Sequence, residues 1–242
     1  MPFRLNMLEE ISAGNYINVI RDPHTQISFS QFGEDTIILD ILVHDIKKPF
    51  GGFYVDVGAF HPRFLSTTRL LKFLNWKGIN IDANDDVISL FKLERPEDIN
   101  ICCGVAPSEG EMNYHKFEGG ATNTLSNDMA SHQTRNGAKV IGSDLIKVRT
   151  INQILKENLP IDQQIDYMNI DLEGLDRAVL KSLDLDLFRP TVISIELFGI
   201  NILNLRDDPT ISYLINKNYY LAAAARDTYI FYDLNQSTST RL

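Results

Sequence analysis

One stretch decides the fold of this chain: FYVDVGAFHP, residues 53–62. Gly51 and Gly52 precede it, and a run of β-branched and aromatic residues then ends on Asp56 and Gly58. This pattern predicts a buried strand followed by a tight turn. Because the first strand-to-helix turn of a doubly wound sheet receives nucleotide-like ligands, we expect a ligand at this turn. The alternative is an ordinary strand end.

The residues of the turn indicate what kind of ligand it favours. A dinucleotide site requires the pattern G-x-G-x-x-G, and here the three glycine positions hold Gly58, Phe60 and Arg63. Gly58 would let the backbone approach a ligand, and Ala59 adds little bulk. Asp56 supplies a negative charge at the strand end. An acid followed by a single glycine favours a cationic ligand, such as a sulfonium, over a pyrophosphate.

Composition narrows the class of protein and its partners. The chain has 242 residues, of which 44% are hydrophobic and 23% charged, as in soluble globular domains. Its formal net charge of -9 argues against a nucleic-acid partner. No early run is long and apolar enough for a signal peptide or a membrane span. The adjacent Cys102 and Cys103 cannot build a disulfide framework. We therefore expect a soluble, cytoplasmic protein without a membrane partner.

A second acid ends the next predicted strand. Residues 78–82 form an apolar run that ends on Asp82, and Asn84 follows as the cap of a helix. A carboxylate at the end of the second strand can accept hydrogen bonds from both hydroxyls of a ribose. Ribose binding is therefore the expected role of Asp82, and helix capping is the alternative.

The rest of the chain continues the alternation of strands and helices. Further strands are predicted at residues 99–104, 165–171, 191–197, 219–225 and 229–233, with a small extra β-pair at 112–117 and 145–148. The fold class is therefore α/β, with a seven-stranded sheet and helices on both of its faces.

Two polar segments flank this framework. Residues 118–143 are rich in glycine and asparagine and lack periodicity, which predicts an irregular lid or a mobile insertion. The segment SQFGED at residues 30–35 either caps a helix at 36–48 or places Gln31 and the backbone of Gly33 over a ligand.

We expect one domain over residues 1–235. Its first part, residues 1–50, is predicted to be a helical lead-in, and residues 236–242 are predicted to be a frayed tail. The chain shows neither an internal repeat nor a linker that would divide it.

Taken in order, these motifs resemble the FkbM-type methyltransferase family. The matching segments are SQFGED at 30–35, VDVGA at 55–59 with His61-Pro62, Arg95-Pro96, IDLEG at 170–174 and Arg189-Pro190. The resemblance covers about residues 28–235 and implies the Rossmann-like seven-stranded methyltransferase sheet. One departure is Asp82-Ala83-Asn84, where many relatives have Glu-Pro-Asn; the shorter acid changes the reach of the ribose contact but not its chemistry.

The resemblance implies S-adenosyl-L-methionine as the cofactor. It assigns to cofactor binding Gln31, Asp56, Gly58, Ala59, Asp82, Ala83, Gly104 and Asp171. Within this set, Asp56 and Gly58 would border the methionine part and Asp82 the ribose. Gly104 would border the adenine, and Asp171 would lie beneath the sulfonium.

The segment after the fourth strand carries the predicted catalytic residues. Asp171 is assigned mainly to the cofactor, Glu173 to the acceptor hydroxyl as base or orienter, and His61 is a reserve base. An extended chain would place Asp171 and Glu173 on the same side. The alternative is that both acids only favour the N-terminus of the following helix. Glu196 could join them around a magnesium ion, but the ligand spacing is not diagnostic, and no metal site is predicted.

The implied activity is O-methylation of a hydroxyl on a sugar, either a nucleotide-activated sugar or a precursor of a surface polysaccharide. Two alternatives stay open: O-methylation of a non-sugar secondary metabolite, and a non-catalytic cofactor-binding protein of the same fold. A nicotinamide-dependent enzyme is disfavoured by the missing glycines. The sequence leaves the oligomeric state open, including a homo-oligomer.

Overall fold

The computed structural model of the protein describes residues 26–236. Its strands are β1 (Phe53–Val57), β2 (Lys77–Asp82), β3 (Ile99–Cys102), β4 (Gly104–Val105), β5 (Gly110–Phe117), β6 (Val140–Arg149), β7 (Tyr167–Ile170), β8 (Val192–Glu196), β9 (Tyr219–Ala225) and β10 (Thr228–Asp233). Its helices are α1 (Glu34–His44), α2 (Arg69–Phe73), α3 (Asp85–Glu94), α4 (Asn127–Arg135), α5 (Ile151–Asn158), α6 (Asp176–Ser182) and α7 (Pro209–Asn216), with a 3₁₀ helix at Ile202–Asp207.

Seven strands form the main sheet, in the order β3-β2-β1-β7-β8-β10-β9. β1 pairs in parallel with β2 on one side and with β7 on the other. β10 runs antiparallel to both β8 and β9. The seven-stranded α/β prediction is confirmed. The chain leaves β1 toward one edge of the sheet and later returns beside it, so the carboxyl ends of β1 and β7 lie at the switch point where such sheets bind ligands.

The alternation of side chains along β1 explains why both faces of the sheet are covered. Phe53, Val55 and Val57 point into a core formed with α5, α6 and α7. Tyr54 points the other way and packs with the buried residues of α1 and with Trp76. A strand whose two faces are both buried reads as a continuous apolar run, as this one does.

The predicted third strand is too long, and the extra β-pair is a three-stranded sheet. β3 ends at Cys102, and Gly104–Val105 forms a separate strand in a sheet of order β4-β6-β5. A Cβ on Gly104 would crowd Val148, Ile146 and Leu125, so only a glycine lets β4 lie this close to β6. Residue 104 therefore belongs to the small sheet.

The irregular structure predicted for residues 118–143 is wrong, whereas their role as a lid stays a prediction. The segment contains α4, whose N-cap Ser126 accepts a hydrogen bond from the backbone N–H of Met129, and β6 begins at Val140. The buried residue of α4 is Ala130. The helix is polar overall, so its sequence lacks the run of large apolar residues by which the other helices are recognised.

The predicted cap at Asn84 is confirmed, and two further helices also begin with a side-chain cap. Asn84 and Asp208 accept backbone hydrogen bonds at the starts of α3 and α7, and Thr150 forms a capping box with Gln153. The first predicted helix spans Glu34–His44 rather than 36–48. Much of the predicted lead-in and nearly all of the predicted tail lie outside the described residues. Within residues 26–236, no helix has the length and apolarity needed to cross a membrane.

Candidate active site

A cavity of about 330 Å³ opens at the carboxyl ends of the central strands. Residues that follow β1, β2 and β7 line it, together with Glu196 at the end of β8, Asp227 in the β9–β10 turn and residues 120–125. Neighbouring strands lie about 4.8 Å apart, so the span from β2 across β1 and β7 to β8 is roughly 14 Å. The cavity therefore runs across the sheet and can hold an elongated ligand.

The turn after β1 is shaped by contact with β7. Gly58 has a φ of 83°, and a Cβ there would overlap the carbonyl oxygen of Asp171. The backbone N–H groups of Gly58 and Ala59 both donate to the carbonyl oxygen of Ile81. Gly58 also lines the cavity. The main effect of its missing side chain is to let the ends of β1 and β7 lie close together, and access for a ligand is a secondary effect.

Asp56 lies at the floor of the cavity, and both oxygens of its carboxylate accept hydrogen bonds from neighbouring side chains. It is buried, and it accepts hydrogen bonds from Thr68 Oγ1 at 3.0 Å and from Asn169 Nδ2 at 3.0 Å. Ser194 in turn donates to Asn169. Burial raises the pKa of Asp56, although these two donors and nearby Arg95 oppose the rise. These contacts hold the Asp56 carboxylate in a fixed orientation at the floor of the cavity.

Arg95 braces the wall formed by residues 62–68. Its buried guanidinium donates to the hydroxyls of Tyr54, Thr68 and Ser66 and to the carbonyl oxygen of Pro62. Because Thr68 also donates to the Asp56 carboxylate, Arg95 connects the wall to the floor.

Asp82 retains the capacity to bind a diol. Its Oδ1 accepts from the backbone N–H of Asn84 at 2.7 Å, and its Oδ2 accepts from that of Phe60 at 3.1 Å. A carboxylate has about four acceptor positions, so these two contacts leave capacity on each oxygen. Burial raises the pKa of Asp82 to about 6, and both backbone hydrogen bonds oppose the rise.

Three carboxylates meet at the other end of the cavity. Oxygen atoms of Asp171, Glu173 and Glu196 all lie within 4.8 Å of one another. The predicted proximity of Asp171 and Glu173 is present, but not through an extended chain: Glu173 has a φ of 47° and Gly174 a φ of 104°. A turn, rather than strand alternation, places the Glu173 carboxylate beside Asp171.

A different acid satisfies the backbone of the turn before the following helix. Asp176 is buried and accepts from the backbone N–H groups of Leu172 at 2.7 Å and Gly174 at 2.9 Å. The Glu173 carboxylate instead accepts from Gln133 Nε2 at 3.4 Å. The Glu173 carbonyl oxygen accepts from Thr124 Oγ1 at 2.7 Å. Glu173 therefore faces the cavity while Asp176 satisfies the turn.

The proximity of these acids perturbs their protonation. Burial, followed by the charge of Asp176, raises the pKa of Glu173 to about 7. Enclosure by protein, followed by the charge of Glu173, raises the pKa of Asp171, although its side chain is open to the cavity. Burial and then the charge of Asp171 raise the pKa of Glu196 well above its usual range. Among the described residues, Glu196 Oε2 is buried and has no hydrogen-bond partner.

Comparison with protein-family models shows which family this chain belongs to. The model of the Methyltransferase FkbM domain matches residues 56–218. The chain belongs to the FkbM methyltransferase family. The match includes Asp56, Asp82 and the three clustered carboxylates, whereas Gln31 and Asp227 lie outside it. No curated protein matches the chain in sequence.

In this methyltransferase most of the predicted cofactor residues line the cavity. They are Gln31, Asp56, Gly58, Ala59, Asp82, Ala83 and Asp171. Gly104 is not part of the lining, because within the small sheet it faces Val148, Ile146 and Leu125, and its neighbours Cys103 and Val105 line the cavity instead. His61 is also outside the lining. Its Nδ1 accepts from the backbone N–H groups of Arg63 and Phe64.

Sequence analysis missed several residues that the fold brings to the cavity. They are Glu34, Tyr114, Asn123, Thr124, Leu125, Asp227 and Thr228. The first belongs to α1, and the others belong to the small sheet, the segment before α4 and the β9–β10 turn. Of these residues, only Asp227 could have been suspected from the sequence, because it is an acid in the turn between the predicted strands 219–225 and 229–233. The remaining contacts depend on tertiary packing.

Proposed function

We propose that this FkbM methyltransferase transfers a methyl group from S-adenosylmethionine to a hydroxyl of a sugar. The observation that carries the proposal is Glu173, a cavity carboxyl whose pKa is raised to about 7. A general base works best when its pKa lies near the operating pH. An alcohol is a poor nucleophile and needs such a base.

The residues present fit the cofactor. Asp82 has acceptor positions left for ribose hydroxyls, and Asp171 and Asp56 provide negative charge where the methionine part would lie. When bound, S-adenosylmethionine supplies an electrophilic methyl group on a positively charged sulfur. The carboxylates of the cavity favour that charge.

The chain itself contributes orientation and proton acceptance. Glu173 accepts the proton of the acceptor hydroxyl at its carboxylate, which Gln133 holds by a side-chain hydrogen bond while Thr124 fixes the backbone. Alignment of two reactants can supply about 7–11 kcal/mol in the best cases, and a placed base adds about 10²–10⁴-fold. Residues 120–125 and Asp227 of the β9–β10 turn line the same cavity.

A mass-shift screen tests the proposal. Purified protein is incubated with S-adenosylmethionine and a panel of free sugars, sugar nucleotides and hydroxylated secondary metabolites. The expected result is an acceptor that gains one methyl group together with release of S-adenosylhomocysteine. Transfer only to a non-sugar metabolite would overturn the sugar assignment. Tight binding of S-adenosylhomocysteine without transfer to any acceptor would instead support a non-catalytic cofactor-binding protein.

A further inference from the structure

We infer that the acceptor carries an ammonium group beside the hydroxyl that is methylated, and that Glu196 and Asp227 bind this ammonium. The inference rests on the proposed function, because it names the class of acceptor that the same cavity takes. It favours an amino sugar over a sugar attached to a nucleoside diphosphate.

The first observation is the charge of the cavity wall. Seven acidic residues line it: Glu34, Asp56, Asp82, Asp171, Glu173, Glu196 and Asp227. Among the described residues, the lining contains no Lys, Arg or His. The exposed Arg226 is next to Asp227 in the chain, but it stacks over the Phe32 ring at 4.5 Å and is not part of the lining. A diphosphate in this cavity would meet like charges and no counter-charge.

The second observation is that some of these acids already have partners and others do not. Asp56 and Asp82 accept the hydrogen bonds described above, and Glu34 accepts from the backbone N–H of Phe32 at 2.7 Å. In the part of the chain that the structure describes, the carboxylates of Asp171, Glu196 and Asp227 have neither an ion-pair nor a hydrogen-bond partner. The free acceptors therefore lie at one end of the cavity.

The third observation is the buried Oε2 of Glu196, which lacks a donor. Leaving a buried charged acceptor without a donor is unfavourable. An ammonium group offers three donors and a positive charge, so it can satisfy this oxygen and Asp227 together. The proposed acceptor has to enter this end of the cavity to be methylated. If the acceptor carries the ammonium, no separate cation is needed to bind these carboxylates.

The position of Glu196 fits recognition rather than chemistry. β8 is the neighbour of β7 on the side away from β1, so Glu196 lies about one strand spacing beyond Asp171 and Glu173. The acids that act on Glu196 are Asp171, Glu173, Asp176 and Asp227. Burial, followed by the repulsion of these acids, raises the pKa of Glu196 and favours a proton on it in the empty cavity. A bound ammonium replaces that proton as the compensating charge, so binding should release it.

Calorimetric titration of the protein loaded with S-adenosylhomocysteine tests the inference without turnover. The matched probes are glucosamine, which is cationic, N-acetylglucosamine, which is neutral, and UDP-N-acetylglucosamine, which is anionic. Glucosamine is expected to bind about tenfold or more tightly than the neutral probe, and the anionic probe is expected to bind most weakly. Titration at a pH where the glucosamine amine is fully protonated, in buffers of different ionisation enthalpy, should show proton release with glucosamine alone.

Glu196→Gln is expected to abolish the preference and the proton release while leaving the affinity for S-adenosylhomocysteine unchanged. Glu97→Gln removes an exposed acid outside the lining and should behave as wild type. Equal or tighter binding of the neutral or anionic probe, no binding of any probe, or an unchanged preference in Glu196→Gln would overturn the inference. A preference that a chelator abolishes and Mg²⁺ restores would replace it with a metal site. Failure of the wild-type protein to bind S-adenosylhomocysteine would refute the proposed function itself.

Discussion

Replacement of Asp82 by asparagine is the sharpest test of where the cofactor lies. The change keeps the size of the side chain and removes its charge. In the structure, the two oxygens of Asp82 accept from the backbone N–H groups of Asn84 and Phe60 at 2.7 and 3.1 Å. Each oxygen keeps capacity for one ribose hydroxyl. Asparagine has one oxygen and one amide nitrogen, so it can satisfy one backbone donor and loses half of its acceptor positions.

The magnitude follows from these contacts. Hydrogen bonds to a charged acceptor contribute about 1.5–3 kcal/mol, compared with about 0.5–1.5 kcal/mol for neutral pairs. Loss of the charge at one hydroxyl and of the acceptor at the other should cost about 1.5–3 kcal/mol of binding free energy. That corresponds to a roughly 10- to 150-fold weaker affinity.

Calorimetric titration with S-adenosylhomocysteine measures the change in affinity, and a thermal melt establishes that the variant folds. Asp86→Asn is the matched control, because it removes an equally charged but exposed residue from the first turn of α3. The control should bind as the wild type does. If folded Asp82→Asn binds as tightly as the control, the ribose assignment is wrong.

Four further predictions follow from the same geometry. Glu173→Gln should lower kcat at least about 10²-fold, with little change in cofactor affinity or melting temperature; a variant that loses activity only together with stability would indicate a structural role. Because Glu173 must be deprotonated to act as a base and its pKa is raised to about 7, kcat/KM of the wild type should rise with pH through about 7, and a flat profile would contradict this. Gly58→Ala should destabilise the protein more than Gly51→Ala. Both glycines have a positive φ, which costs about 1–2 kcal/mol for alanine, but only at Gly58 would the new Cβ overlap the Asp171 carbonyl. Equal losses of unfolding free energy in urea would refute the contact argument. Limited proteolysis should cut first within residues 118–143, and S-adenosylhomocysteine plus acceptor should protect this predicted lid; a segment resistant with and without ligand would argue against closure.

The parts of the fold that depend on local pattern were predictable from the sequence. The apolar run before Asp56 and Gly58 identified the central strand, because a strand buried on both faces needs an apolar residue at nearly every position. The acids Asp82 and Asp171 were found because each follows such a run, and strand ends meet at one edge of a parallel sheet. The Asn84 cap of α3 was predictable because capping chemistry is local.

The parts that depend on tertiary contact were not predictable. α4 is a polar helix whose buried residue is Ala130, so no set of large apolar residues marks it in the sequence. The close packing that requires Gly58 involves Asp171, a residue far along the chain. Glu173 reaches the cavity through a positive φ rather than through strand alternation. Asp227 joins the same cavity because β10 pairs with β8, which local pattern does not reveal.

The central claim is tested most directly with S-adenosylmethionine labelled in its methyl group. The protein is incubated with the labelled cofactor and an amino sugar, and NMR then locates the label in the product. The account predicts that the label appears on an oxygen of the sugar, that one S-adenosylhomocysteine forms for each methyl group transferred, and that Glu173→Gln suppresses both. Label on the sugar nitrogen, or undiminished transfer by Glu173→Gln, would contradict it.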